Sequence, residues 1–166
     1  MNKRSFLKEW IGYGLIFFSI LGLDQFTKHL ALIMLKPIDN GQSVSVDLWP
    51  GVFGLNYEEN TGAAFSILSN NTWILILLTI VLCSLILLLL LRGNIRSAWG
   101  RIALIFVFSG GIGNLIDRVF RGFVVDMFDF YLIDFAVFNV ADIFVCCGCG
   151  LFVFLFILSK GEILDS

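Results

Sequence analysis

Residues Thr72 to Leu91 read TWILILLTIVLCSLILLLLL, an apolar run without one charged side chain. At 1.5 Å per helical residue, such a run covers about 30 Å, the thickness of a bilayer's hydrocarbon core. The stretch reads as a plain lipid-facing helix, so the rest of the chain has to be understood in the same solvent. Composition agrees. Of the 166 residues, 58% are hydrophobic and only 14% are charged, whereas soluble domains carry roughly 25% charged residues. One small core cannot hide that much apolar surface.

Outward from this run, three more segments are long and apolar enough to cross: about Trp10 to Leu35, about Ile102 to Arg118 and about Phe135 to Leu158. The expected architecture is an all-α membrane protein, one integral-membrane domain of four transmembrane helices over residues 1–166. Basic residues set its orientation. Lys3, Arg4, Lys8, Arg92, Arg96, Arg101 and Lys160 fall on one side, and Lys28, Lys36, Arg118 and Arg121 fall toward the other. The richer side is expected to be cytoplasmic, which puts both termini inside and residues 36–71 and 120–134 outside. Trp10, Trp73 and Trp99 sit near predicted helix ends, where aromatic belts form. The basic start followed by apolar residues has the look of a signal peptide. It runs on through Asp24 and Lys28 without a small-residue cleavage site, so the first span is expected to be retained. A net charge of −2 and no basic stripe give no reason to expect nucleic acid as a partner.

The few polar residues in and beside these spans carry the functional signal, because a charge in hydrocarbon costs at least a few kcal/mol. Counted at 1.5 Å per residue, Asp24 lies about 21 Å above Trp10, Asn114 about 20 Å above Arg101 and Asp142 about 26 Å above Ser159. Three helices thus bring polar groups to one height in the outer half of the bilayer. Helical spacing sharpens the picture. Asp24 and Lys28 are four apart and can pair; Asn114, Asp117 and Arg118 fall at i, i+3 and i+4; Asn139 and Asp142 are three apart. Interhelical hydrogen bonding is the plainer account of Asn114, Arg118 and Asn139. Asp142, an acid within a span, and Asp126, in the external segment, can meet at one membrane face. That pairing points to an intramembrane aspartyl protease.

The first external segment has its own pattern. Val44, Val46 and Leu48 alternate with Ser43, Ser45 and Asp47, Pro50-Gly51 marks a turn, and Phe53, Leu55 and Tyr57 resume the alternation. A small antiparallel sheet is expected over about residues 43–59, resting on the outer membrane surface, and the second external segment is expected to be a loop. Small residues in Asn60-Thr-Gly-Ala-Ala-Phe65 allow close approach of another chain, and the Asn60 amide offers both a donor and an acceptor.

Asp24-Gln-Phe-Thr-Lys28, Asn60-Thr-Gly-Ala-Ala-Phe65, Gly110-Gly-Ile-Gly-Asn114-Leu-Ile-Asp117-Arg118, Val124-Val-Asp126 and Phe138-Asn-Val-Ala-Asp142 occur in this order. Together they resemble the lipoprotein signal peptidases, or signal peptidase II, over almost the whole chain. Met127 and Ile143 depart from the residues expected beside the two acids. The resemblance implies a multi-pass enzyme of the bacterial inner membrane, with its site toward the outer face. It implies removal of signal peptides from prolipoproteins by cleavage before a diacylglyceryl-modified cysteine. It implies Asp126 and Asp142 as the catalytic pair, and Asp24, Lys28, Asn60, Asn114, Arg118 and Asn139 as substrate-binding or site-lining positions. Membrane lipids and prolipoproteins are the expected partners, the chain is expected to act as a monomer, and neither a cofactor nor a metal is expected.

Paired acids in a poorly solvated site share one proton, so one member can activate water while the other polarises the scissile carbonyl. Asp129 and Asp134 are rivals in the same external segment; neither lies in an apolar span, so solvated loop positions are expected for both. Cys83, Cys146, Cys147 and Cys149 lie in spans, where charged thiolates are disfavoured, and read as small packing residues. His29 is the only histidine, which argues against a histidine triad or a typical zinc site. The alternative class is a small ion or proton transporter component, with Asp24, Lys28 and Asp142 on its path. Such a path needs ionisable groups through the cytoplasmic half of the spans, and the sequence places none there.

Overall fold

The computed structural model describes residues 3–37, 44–62, 71–133, 135–159 and 161, with side chains described from residue 7 onward. Seven elements follow in order: α1 (Lys3–Met34), β1 (Val46–Trp49), β2 (Phe53–Asn60), α2 (Thr72–Leu91), α3 (Ala98–Arg121), β3 (Val124–Phe130) and α4 (Val140–Leu158). All four helices are long and apolar enough to cross a membrane. The central one is α3, which packs against α1, α2 and α4.

Most apolar side chains face outward, as hydrocarbon solvent allows. Phe18, Leu77, Leu85, Phe154 and Ile157 are all exposed. Five of the eight residues that α3 buries are small: Gly100, Ala103, Ser109, Gly110 and Gly113. A Cβ on Gly110 would run into the carbonyl oxygen of Ala141, and one on Gly148 would lie 2.6 Å from that of Ala103. Small residues at these crossings therefore let α3 and α4 approach backbone to backbone. Among the described residues, the half of the bundle near the start of α3 is filled by Leu90, Ile95, Leu104 and Ile105, with Trp10, Phe17 and Phe152 packed around them. The opposite end holds a second apolar cluster of Ala31, Leu35, Val125 and Met127, which joins α1 to the sheet.

The sheet is antiparallel in the order β1-β2-β3. The expected β region supplies two of the strands. The third corrects the expected loop: Val124–Phe130 pairs with β2, bringing Glu58 opposite Asp126 and Asn60 opposite Val124. Gly122 makes the link possible. Its φ of 83° ends α3 in the left-handed conformation, with its N–H on the Arg118 carbonyl, and the chain turns directly into β3. Ser43, the start of the expected alternation, and residues 63–65 of the small-residue motif lie outside the described residues, as do Lys160 and Asp134.

The fourth span also differs from expectation. Its helix starts at Val140 instead of Phe135, because Asn139 caps it. The Asn139 side chain accepts from the backbone N–H of Asp142, and the Asp142 side chain accepts from the N–H of Asn139. This reciprocal arrangement satisfies two of the donors that a helix start leaves open. Upstream, Phe138 forms an antiparallel bridge with Phe128, so the preceding segment extends the sheet instead of the helix. Of the other three helices, α2 has the expected ends, α1 (Lys3–Met34) starts seven residues before the expected Trp10, and α3 (Ala98–Arg121) runs three to four residues past each expected limit.

Candidate active site

Asp126 lies on β3 and Asp142 in the first turn of α4. Asn139 binds both. Its Nδ2 donates to Asp126 Oδ1 at 2.6 Å, and its Oδ1 accepts from the Asp142 N–H at 3.0 Å. Asp126 is 1% exposed and Asn139 is fully buried. A cavity of about 510 Å³ opens above the two acids, lined by Asn60, Asn114, Arg118, Asp126 and Asp142 together with an apolar wall that includes Phe135, Phe138, Ile143 and Cys146.

Each of the four carboxylate oxygens meets an N–H donor. Asp126 Oδ2 accepts from Asn60 Nδ2 at 2.9 Å and Oδ1 from Asn139. Asp142 Oδ1 accepts from Asn114 Nδ2 at 2.8 Å, and Oδ2 from the Asn139 N–H at 3.2 Å. An amide can turn over and present its oxygen instead, yet none of these three is free to do so. The oxygen of Asn60 is held by the Gly62 N–H at 2.9 Å, that of Asn139 by the Asp142 N–H, and that of Asn114 by Lys28 Nζ at 2.9 Å. All three holders donate and cannot accept. The NH₂ ends therefore have to face the acids.

Behind the cavity lies a charged layer in which Lys28, Asp24 and Asp117 are all buried. Lys28 is 0% exposed and gives its ammonium to Asp24 Oδ2 at 2.9 Å, Asp117 Oδ2 at 3.0 Å and Asn114 Oδ1, so each of its three protons has an acceptor. Asp24 Oδ1 also accepts the Ala141 N–H at 2.9 Å, tying α1 to the start of α4. Asp117 accepts from Arg121 and from the Val125 N–H at 3.3 Å, which fixes the backbone just before Asp126. Gln25 bridges the two acids, at 3.1 Å to Asp24 and 3.4 Å to Asp117. Gly113 leaves the room for this: a Cβ there would lie 2.5 Å from Asp24 Oδ2.

The expected site residues thus separate into two shells. Asn60, Asn114, Arg118, Asp126 and Asp142 line the cavity, while Asn139 holds the acids from beneath. Asp24 and Lys28 do not line it; they sit behind Asn114, because a buried ammonium is tolerated only where carboxylates surround it. Asp117 and Gln25 belong to the site and were missed as site residues. The signal was there for Asp117, which shares the Asn114 face of α3 at i+3. Arg118 reaches across with Nη2 to the Gly62 carbonyl at 2.8 Å, and its buried Nε has no partner among the described residues.

Burial, and after it the charge of Asp142, pushes the Asp126 carboxyl from an ordinary 3.8 up to about 7. Charge balance agrees with a retained proton. Asp24 and Asp117 offset Lys28 and Arg121, which leaves Arg118 as the cation that shares the cavity with Asp126 and Asp142. One proton retained on Asp126 makes the whole cluster neutral.

The model of the signal peptidase (SPase) II family matches residues 16–158. The chain belongs to the signal peptidase II family. A lipoprotein signal peptidase of Streptococcus thermophilus (strain CNRZ 1066) is 42% identical over 139 residues, covering 82% of this chain and 86% of that protein. One from Clostridioides difficile (strain 630) is 43% identical over 136 residues, at 82% and 88% coverage. The fold is shared with a bacterial membrane enzyme solved in meso at 2.3 Å resolution, with a TM-score of 0.82, 26% identity and 93% coverage of both chains. Membership makes the chain a membrane-spanning peptidase of the signal peptidase II type.

Proposed function

We propose that this protein is an aspartic endopeptidase that removes signal peptides from diacylglyceryl-modified prolipoproteins, cutting before the lipidated cysteine, with Asp126 and Asp142 as its catalytic pair. The observation that carries the reading is the shared Asn139 beneath two acids that line one largely apolar cavity. Its family relatives supply the substrate class, since they are named lipoprotein signal peptidases.

In the proposed mechanism the pair holds one proton. The ionised carboxylate takes a proton from water, whose oxygen attacks the scissile carbonyl carbon. The protonated carboxyl hydrogen-bonds the carbonyl oxygen and stabilises the charge that forms there. Collapse of the tetrahedral intermediate breaks the C–N bond, the proton taken from water goes to the leaving amine, and the pair is left again with one proton. The amide donors on the carboxylate oxygens hold the acids in place through this cycle. The apolar wall of Phe135, Phe138 and Ile143 gives an apolar signal sequence a lateral surface to lie against. Both termini are placed in the cytoplasm and the sheet outside, on the charge bias of the loops. A single chain in contact with membrane lipid is the working unit.

Cleavage of a lipidated prolipoprotein by the purified protein in detergent micelles tests the reading. Release of the signal peptide is expected from the wild-type protein, and none from Asp142→Asn. A transporter would release none from either. Among the described residues, the half of the bundle around Leu90, Ile95, Leu104 and Ile105 is packed with apolar side chains, which argues against such a transporter.

A further inference from the structure

Lys28 shows no surface to the cavity, yet it controls what the cavity presents to a reactant. Its ammonium has three donors and no acceptor. Two are taken by Asp24 and Asp117, and the third meets Asn114 Oδ1. Asn139 Nδ2 meets the same oxygen at 3.2 Å. Turning the Asn114 amide over would set its NH₂ against both donors and its oxygen against Asp142 Oδ1, an acceptor facing an acceptor. With Lys28 in place the amide has one usable orientation, the one that donates to Asp142 at 2.8 Å.

From this geometry we infer that Lys28 is a positioning residue which acts through Asn114, holding that amide so that it always donates to Asp142. The inference rests on the reading of Asp142 as one of the catalytic pair. The other two asparagines are fixed by backbone N–H groups, at Gly62 and Asp142, and no side-chain substitution releases them. Asn114 is the one whose orientation rests on side chains alone, and the shorter of its two holds, 2.9 Å from Lys28 against 3.2 Å from Asn139, comes from α1. The first helix thereby reaches Asp142 of α4 through Asn114, from outside the cavity.

The test uses paired substitutions that keep the buried charge balanced. Asp24→Asn with Lys28→Gln removes one charge of each sign, retains an acceptor for the Ala141 N–H and retains an N–H donor on the Asn114 side, one atom shorter in reach than lysine. Asp24→Asn with Lys28→Met differs only in lacking that donor. On a lipidated substrate in micelles, the methionine pair is expected to show kcat lower than the glutamine pair by at least about tenfold, at KM within about threefold, because an interaction with the reacting groups is lost while ground-state binding is kept. Equal kcat in the two pairs would overturn the inference. So would a methionine pair that fails to fold while the glutamine pair folds, since the donor would then serve the fold alone. A loss confined to KM would mean that Lys28 shapes binding, and would overturn it as well. Asp142→Asn runs alongside: if that variant cleaves normally, the catalytic pair itself is wrong, a result distinct from any of these.

Discussion

Asn139 donates its side-chain amide to Asp126 across 2.6 Å, although one residue caps a helix and the other lies in a strand. The same side chain caps α4 through its oxygen, so helix start and strand are fixed by one residue. The two jobs can be separated. Asn139→Ala loses both, at about 1 kcal/mol for the cap and at least about 100-fold in kcat for the misplaced acid. Asn139→Ser keeps a capping oxygen but has no amide to reach Asp126. It is expected to recover the thermal midpoint without recovering turnover. Parallel melting and cleavage assays check this, and a serine variant that restores both would show that the contact with Asp126 is idle.

The acids themselves follow. Asp126→Asn and Asp142→Asn preserve shape, so each variant is expected to insert and melt normally while losing at least about 10³-fold in cleavage. Asp129 is the contrast. It lies three residues along β3 from Asp126, and odd spacing in a strand puts it on the other face, opposite Gly54 of β2. Asp129→Asn is expected to lose less than about tenfold, or ~1.4 kcal/mol of barrier. A dead Asp129→Asn beside an active Asp126→Asn would reverse the assignment of the strand's acid.

Close helix approach gives a third expectation. Gly110 faces the carbonyl of Ala141, the residue next to Asp142, and backbone cannot move aside as a flexible side chain can. Gly110→Ala is expected to cost about 1–3 kcal/mol through overpacking, and to cut turnover by pushing the first turn of α4 outward. Gly14→Ala, where a Cβ meets nothing within 4 Å, serves as the control. Equal melting points for the two variants would refute the close-packing account.

Much of this site could be read from the chain because hydrocarbon makes polar residues expensive. Asp24, Asn114 and Asp142 stood out against apolar runs, and the i,i+4 spacing of Asp24 and Lys28 announced the ion pair that forms. What escaped depends on contacts distant in sequence. VVDMFDF shows no alternation of polarity, because β3 is buried on both faces over Val124–Met127, and so it read as a loop. Gln25 gave no sign that it would touch Asp117, which lies 92 residues away. The start of α4 was legible but misread: Asn139-Val-Ala-Asp142 is a capping pattern, and its asparagine looked like an interior residue because apolar residues precede it.

The last prediction concerns pH. Burial and the Asp142 charge raise Asp126 to about 7, while the amides of Asn60 and Asn139 pull it the other way. A carboxyl raised on folding binds a proton that the unfolded chain has already released. Between about pH 4 and 7 the folded state therefore holds more protons, and its stability falls as pH rises through that window. Activity depends on the same proton and in the same direction. The pair needs one proton to polarise the scissile carbonyl, so kcat/KM, which reports the free enzyme, is expected to fall on the alkaline side with a midpoint near about 7. Asn60→Ala removes a donor that favours the charged form of Asp126, so it should move this midpoint upward while lowering the maximal rate. Measuring kcat/KM from about pH 5 to 9 for both proteins in the same detergent decides the matter. A profile flat through neutrality, or a midpoint that moves down in Asn60→Ala, would remove Asp126 as the carrier of the shared proton.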